Sequence, residues 1–188
     1  MKTLLKIVGI LLALIVIAGI VLYALAPSEF QVVKSRKFAG VSRDVAYPYI
    51  SNLQKFDQWN PFRDADPNAK FWYGGVQGSV GDTAFWEGND SLGVGYQTIT
   101  SLNSDSVGIS LVFTSPWQSK SDVWFTIQGD STQTEITWGY HAKESFPNNI
   151  FMWLIGMEET LGKEYEAGFE KLQPILTAEQ ANASTLQQ

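Results

Sequence analysis

The chain has 188 residues, of which 13 are basic and 19 acidic, with one histidine, no cysteine and a formal charge of −6. Without cysteine it forms no disulfides, has no thiol nucleophile and offers no thiolate to a metal, and a single histidine leaves no typical zinc set. The acidic balance argues against nucleic acid, whose phosphates need a basic footprint.

Twenty residues without a charge, Ile7 to Ala26, follow Lys2 and Lys6. As a helix they span about 30 Å, the thickness of a bilayer's hydrocarbon core. The run is apolar on every face, which sets it apart from an amphipathic core helix. A secretory signal peptide is the competing reading, with Ala24-Leu25-Ala26 as its cleavage site. The run exceeds the roughly 7–15 residues of a signal's apolar region. Pro27 would also follow the cut, where its rigid ring makes a poor protease substrate. The expectation is therefore a basic N-terminus over 1–6 and an uncleaved transmembrane anchor over 7–26. Lys2 and Lys6 favour a cytoplasmic N-terminus and an extracytoplasmic domain, while Lys34, Arg36 and Lys37 pull the other way.

The remaining 28–188 has the length of one domain. Taking Lys2 and Lys6 from the 13 basic residues leaves 11 against 19 acidic ones, a net of −8. That charge disfavours electrostatic docking on anionic lipid. Pro27-Ser28-Glu29 is the whole link, about 10 Å at most, so the domain sits close to the membrane surface.

Phe30 to Phe38 has strand composition. Ser42 suits a helix N-cap, and Arg43 to Asn52 reads as a short helix kinked at Pro48. Leu53 to Trp59 reads as a second. Six strands follow between turn signals: Lys70–Tyr73, Asp82–Glu87, Val94–Leu102, Val107–Phe113, Ser121–Gln128 and Thr134–Ala142. Alternation such as Val107, Ile109, Leu111 and Phe113 marks an antiparallel sheet with one covered face. The cover is one long helix from Asn148 to Leu176, with Ile150, Leu154, Met157, Leu161, Tyr165 and Leu172 on one stripe. Gly156, Gly162 and Gly168 lie inside it, either for close packing on the sheet or to leave room for a ligand. The small polar residues of 177–188 read as a disordered tail.

Five segments stand in this order: Arg43–Ile50, Phe56-Asp-Gln-Trp-Asn-Pro-Phe62, Gly78–Asp82, Trp86-Glu-Gly-Asn89 and Gly162-Lys-Glu-Tyr-Glu-Ala-Gly-Phe169. In this arrangement the chain resembles the START-like (SRPBCC) superfamily, in its polyketide cyclase/dehydrase-related branch. The resemblance covers about 30 to 176 within a domain of 28–176. It implies an α+β helix-grip fold, an antiparallel seven-stranded sheet wrapped round a long C-terminal helix with a cavity between them. Cavities of that family bind lipids, sterols, polyketides, hormones or other apolar molecules, and a few members catalyse cyclisation or hydrolysis. The family has no universal catalytic residue, so the resemblance assigns none here.

Other chemistry is thinly represented. His141, the one base for a nucleophilic triad, alternates away from the apolar face. Asp64-Ala-Asp66-Pro-Asn68 lacks the glycine and glutamate of a calcium loop, with Ala69 and Gly75 in their places. Gly74-Gly75-x-x-Gly78 has no following Lys-Ser/Thr and reads as a turn. No catalytic residue, metal or cofactor is expected. What remains is an excess of aromatic rings, to be shared between core packing and a pocket. The cavity candidates are Trp59, Phe62, Trp86, Tyr96, Phe113, Trp138, Tyr140, Met157, Leu161 and Tyr165. Polar tips would come from Tyr hydroxyls, Trp N–H groups and Glu87 or Glu158. Three functions fit: a membrane-anchored binding protein for a hydrophobic small molecule or lipid, a cyclase- or hydrolase-like enzyme on an apolar substrate, and an interaction module with a protein partner at Phe151–Trp153.

Overall fold

The structure is a computed structural model and describes residues 2–185. Helix α1 (Lys2–Leu25) leads into strand β1 (Glu29–Ala39). Three one-turn helices follow, α2 (Arg43–Ala46), α3 (Pro48–Ser51) and α4 (Leu53–Phe56), then a 3₁₀ turn over Pro61–Ala65. Strands β2 (Lys70–Gly74), β3 (Thr83–Glu87), β4 (Val94–Leu102), β5 (Ser106–Ser115), β6 (Ser119–Gly129) and β7 (Gln133–Lys143) come next. Helices α5 (Asn148–Leu154) and α6 (Met157–Thr185) complete the chain.

The seven strands form one antiparallel sheet in the order β1-β7-β6-β5-β4-β3-β2. Successive strands are neighbours, as short turns require, and β1 closes the order by pairing with β7 from Glu29↔Lys143 to Ala39↔Gln133. Helix α6 lies across the sheet's covered face, so the fold is α+β with the helix-grip arrangement. The segment Lys6–Leu25 is long and apolar enough to cross a membrane, and none of its residues is buried.

Two expectations about the C-terminal helix are corrected. It is not continuous from Asn148. Gly156 has φ +62°, a left-handed backbone that ends α5 and starts α6 in a new direction. The surrounding residues favour helix, which hides the break in the pattern. Nor does helix stop at Leu176: the expected disordered tail is helical as far as Thr185. Ala, Glu and Gln sustain the helix there, and Gln180 Oε1 accepts the Ser42 amide at 2.8 Å, tying the extension to the start of α2. Residues 186–188 lie outside the described residues. The helix expected over Arg43–Asn52 divides at Tyr47–Pro48, and the one expected over Leu53–Trp59 is regular only to Phe56.

The centre of the core is an aromatic cluster. Trp59 is fully buried and meets Phe56 at 4.9 Å, Trp138 at 5.3 Å and Phe125 at 5.9 Å, and it stacks near Phe169 at 6.2 Å. Its indole donates to the Tyr49 carbonyl at 3.0 Å, which satisfies the one polar atom of the ring.

Asp82 binds the short helices to the sheet. Its side chain is fully buried, and Oδ2 accepts from Leu53 N at 3.1 Å and Gly78 N at 3.0 Å. It therefore caps the start of α4 and closes the β2–β3 turn together. Asp82→Ala should cost about 2–3 kcal/mol, since it strands the buried Leu53 amide and the part-buried Gly78 amide that bond a carboxylate; urea unfolding of the purified chain measures it. A second test concerns Gly139 on β7, which pairs with Trp124 on β6. A Cβ at Gly139 would come within 2.0 Å of the Trp124 indole. Gly139→Ala should lose about 1–3 kcal/mol by overpacking, and an unchanged urea midpoint would show that the indole moves aside freely.

Candidate functional site

Beneath the first turns of α6 lies a cavity of about 530 Å³. Its floor is the covered face of the sheet, with Trp86, Gln97, Leu111, Phe113, Val123 and Tyr140. Its roof is Met157, Leu161 and Tyr165, spaced by four along α6 and so on one helix face. Met157 and Tyr165 stand about 12 Å apart along the axis. Tyr165 and Trp138 stack with ring centres 3.7 Å apart and planes at 8°, which closes the cavity towards the aromatic core. A smaller hollow of about 270 Å³ shares Trp117, Met152, Ile155 and Met157 with it and extends the space under α5.

The two-residue period of the strands decides which candidates face the cavity. Trp86 is paired with Gly95, where a Cβ would come within 2.6 Å of the indole. The glycine lets the ring of Trp86 lie flat over its neighbour, 5.4 Å from Phe113. Phe85 and Tyr96 pair on the other face and continue outward to Trp72, stacked on Phe85 at 5.4 Å. Of the ten candidates, Phe62, Trp86, Phe113, Trp138, Tyr140, Met157, Leu161 and Tyr165 line the cavity. Trp59 is in the core beside it, and Tyr96 is on the outer face.

The expected carboxylate tips are elsewhere. Glu87 is exposed beside Lys70 at 3.8 Å, and Glu158 is exposed and accepts the Gln31 amide at 2.8 Å. The polar wall is built instead by residues that periodicity does not single out. Asp57, whose side chain is nearly buried, accepts from Tyr73 Oη at 2.6 Å, Arg63 at 2.8 Å and Asn60 at 3.0 Å. The Arg63 guanidinium also lies 3.7 Å over the Phe71 ring. The one sequence signal for this cluster is Asp57 and Asn60 standing beside Trp59 and Phe62 in the Phe56–Phe62 segment. His141 is half-exposed, 3.9 Å from Glu29, away from the cavity.

The cavity's donors are neutral. Ser121 donates to the Tyr140 hydroxyl at 3.0 Å, which leaves the tyrosine's own proton to give. Burial pushes the Tyr140 and Tyr165 hydroxyls above the usual tyrosine value. Burial and the bond to Asp57 push Tyr73 up to about 12. Trp86 and Trp138 each keep a buried indole N–H with no hydrogen-bond partner among the described residues. The wall can therefore enclose an apolar body and give hydrogen bonds to oxygen acceptors on it. Among the described residues no cluster of His, Asp and Glu is placed to hold a metal ion.

No family model matches the chain, and no curated protein matches it. Solved structures share its architecture. A protein of Nitrosospira multiformis superposes with a TM-score of 0.52 at 16% identity, over 80% of this chain and 98% of that one. A protein of Mesorhizobium loti gives 0.55 at 13% identity, over 79% and 98%. The di-domain ARO/CYC StfQ from the steffimycin biosynthetic pathway gives 0.55 at 7% identity, over 79% of this chain and 51% of that one. At these identities the likeness is one of fold, and it supports the helix-grip architecture.

Proposed function

We propose that this chain is a START-like (SRPBCC) protein anchored in a membrane by α1, holding a hydrophobic small molecule or lipid beneath α6. The observation that carries the reading is the cavity of about 530 Å³, within the range of small-molecule sites and lined mainly by apolar and aromatic side chains. Lys2 and Lys6, at the N-terminal end of α1, favour an extracytoplasmic domain. The ligand class follows from the wall. Two tyrosines held neutral and two unpartnered indole N–H groups suit uncharged oxygen acceptors, such as carbonyl, ester or ether groups, on an otherwise apolar molecule.

A cyclase- or hydrolase-like activity would need a carboxylate free to take a proton. Of the two carboxylates in the wall, Asp57 is already occupied by three donors, which favours binding over catalysis at that position, and Glu164 on α6 is the one left for such a role.

Native mass spectrometry of the full chain, gently released from its own membranes, tests the reading. A stoichiometric apolar adduct is expected. Leu161→Trp, which fills the cavity from its roof, should abolish the adduct while the circular dichroism spectrum stays that of the folded chain. Apo masses for both chains, or equal adducts on both, would refute cavity binding. Tyr140→Phe combined with Tyr165→Phe keeps the volume and removes two donors. Retention of the same adduct on dilution should weaken roughly tenfold.

A further inference from the structure

The apolar residues of α5 cover little of the protein. Phe151 is 50% exposed, Leu154 64% and Ile155 53%, and from Ser145 to Met157 the chain carries no charge. Trp117, in the uncharged turn between β5 and β6, is 56% exposed and meets Phe151 edge-on at 5.6 Å. With Trp153, 40% exposed, five bulky apolar side chains thus form one surface patch on a domain that is otherwise strongly acidic. Contiguous patches of this kind mark a binding surface.

The position of the patch identifies what covers it. Phe146, just before α5, lies 5.9 Å from Tyr23 in the last turn of α1. Asn149 donates to the Pro27 carbonyl at 3.3 Å, and the Glu144 amide donates to the Ser28 carbonyl at 2.9 Å. These contacts fasten the start of α5 to the end of α1. If α1 spans a bilayer, α5 then lies at the level where the span leaves it. The patch also borders the space beneath it, since Trp117, Met152 and Ile155 line both the cavity and the hollow under α5.

We propose that α5 and the Trp117 turn are seated in the interfacial layer of the same membrane, so that the cavity opens to lipid and not to water. The contact is hydrophobic: tryptophan and phenylalanine suit the headgroup level, and the segment needs no basic residues to hold it there. The proposal rests on the reading of α1 as a membrane span. A ligand would pass between bilayer and cavity past Met152, Ile155 and Met157 without crossing water. Gly156, between α5 and α6, gives the backbone a joint at which α5 can shift while α6 stays on the sheet.

The absence of cysteine makes the test direct, because one introduced thiol is one label. Leu154→Cys, Ile15→Cys and Val76→Cys are made in the full chain, labelled with an environment-sensitive fluorophore and reconstituted in phosphatidylcholine vesicles. All three sites are exposed, so the fold should tolerate them. The expected result is strong quenching of the Leu154 and Ile15 labels by brominated acyl chains, with little quenching by aqueous iodide. The Val76 label, on the β2–β3 turn, should show the reverse. If Ile15 is in lipid but Leu154 is open to iodide, the interfacial seat of α5 is wrong and the anchor stands. If Ile15 is itself open to iodide, the anchor reading fails and the proposal falls with it. A Leu154 label shielded from both quenchers, with the shielding lost on dilution of protein in lipid, would assign the patch to a second copy of the chain and overturn the proposal.

Discussion

The stack of Trp138 on Tyr165 is the contact on which the rest of the structure depends. It joins the middle of β7 to α6 face to face at 3.7 Å. On one side the joint continues into Trp59, Phe56, Phe125 and Phe169, a core with little space left in it. On the other side the helix diverges from the sheet, and the same two rings become the end wall of the cavity. Close packing and open space are thus consequences of one junction. Along its length α6 stays on the β1 side of the sheet, through Glu158 to the Gln31 amide and Phe169 to Phe38, and the space opens towards the strands β3 to β6.

The cavity's polarity follows from how the surrounding charges are paired. Asp57 and Arg63 stand in the wall but meet each other, Tyr73 and Asn60, so their charge is spent within the protein. Apart from the Glu164 carboxylate on α6, the rest of the lining is mainly neutral donors, the tyrosine hydroxyls and indole N–H groups, and apolar side chains. On the proposed reading, such a surface suits molecules with a few weak acceptors better than ions, whose hydration it does not replace. The same separation of roles appears outside. The acidic residues keep the domain in water, whereas the uncharged α5 and Trp117 turn gather the exposed apolar area beside α1.

Much of the architecture was legible in the chain. All seven strands were readable to within about two residues at each end, because alternation along an antiparallel strand records which face is covered. The apolar run of α1 and the stripe of α6 were legible for the same reason at their own periods. The break at Gly156 was not, since a glycine flanked by helix formers looks like a tolerated interior glycine until its backbone angle is known. The helical extension beyond Leu176 was missed because its small polar residues also suit a frayed end. What distinguishes them is a contact 138 residues away, from Gln180 to Ser42.

The site was legible in kind more than in detail. Composition alone determined that this chain has more aromatic rings than a core of this size needs, that it has no thiols and only one imidazole, and that its first helix has the length of a bilayer. Tertiary structure decided how the rings are shared out. Trp59 and Trp138 are both buried aromatics near a turn or strand centre, yet one lies wholly in the core and the other also faces the cavity. Trp86 and Tyr96 sit on neighbouring strands and point to opposite sides, because the register pairs Trp86 with Gly95 and Tyr96 with Phe85. Periodicity records that a side chain is covered, but not whether the cover is another side chain or a space. That depends on the distance between α6 and the sheet, a property of the packed molecule that no single segment carries.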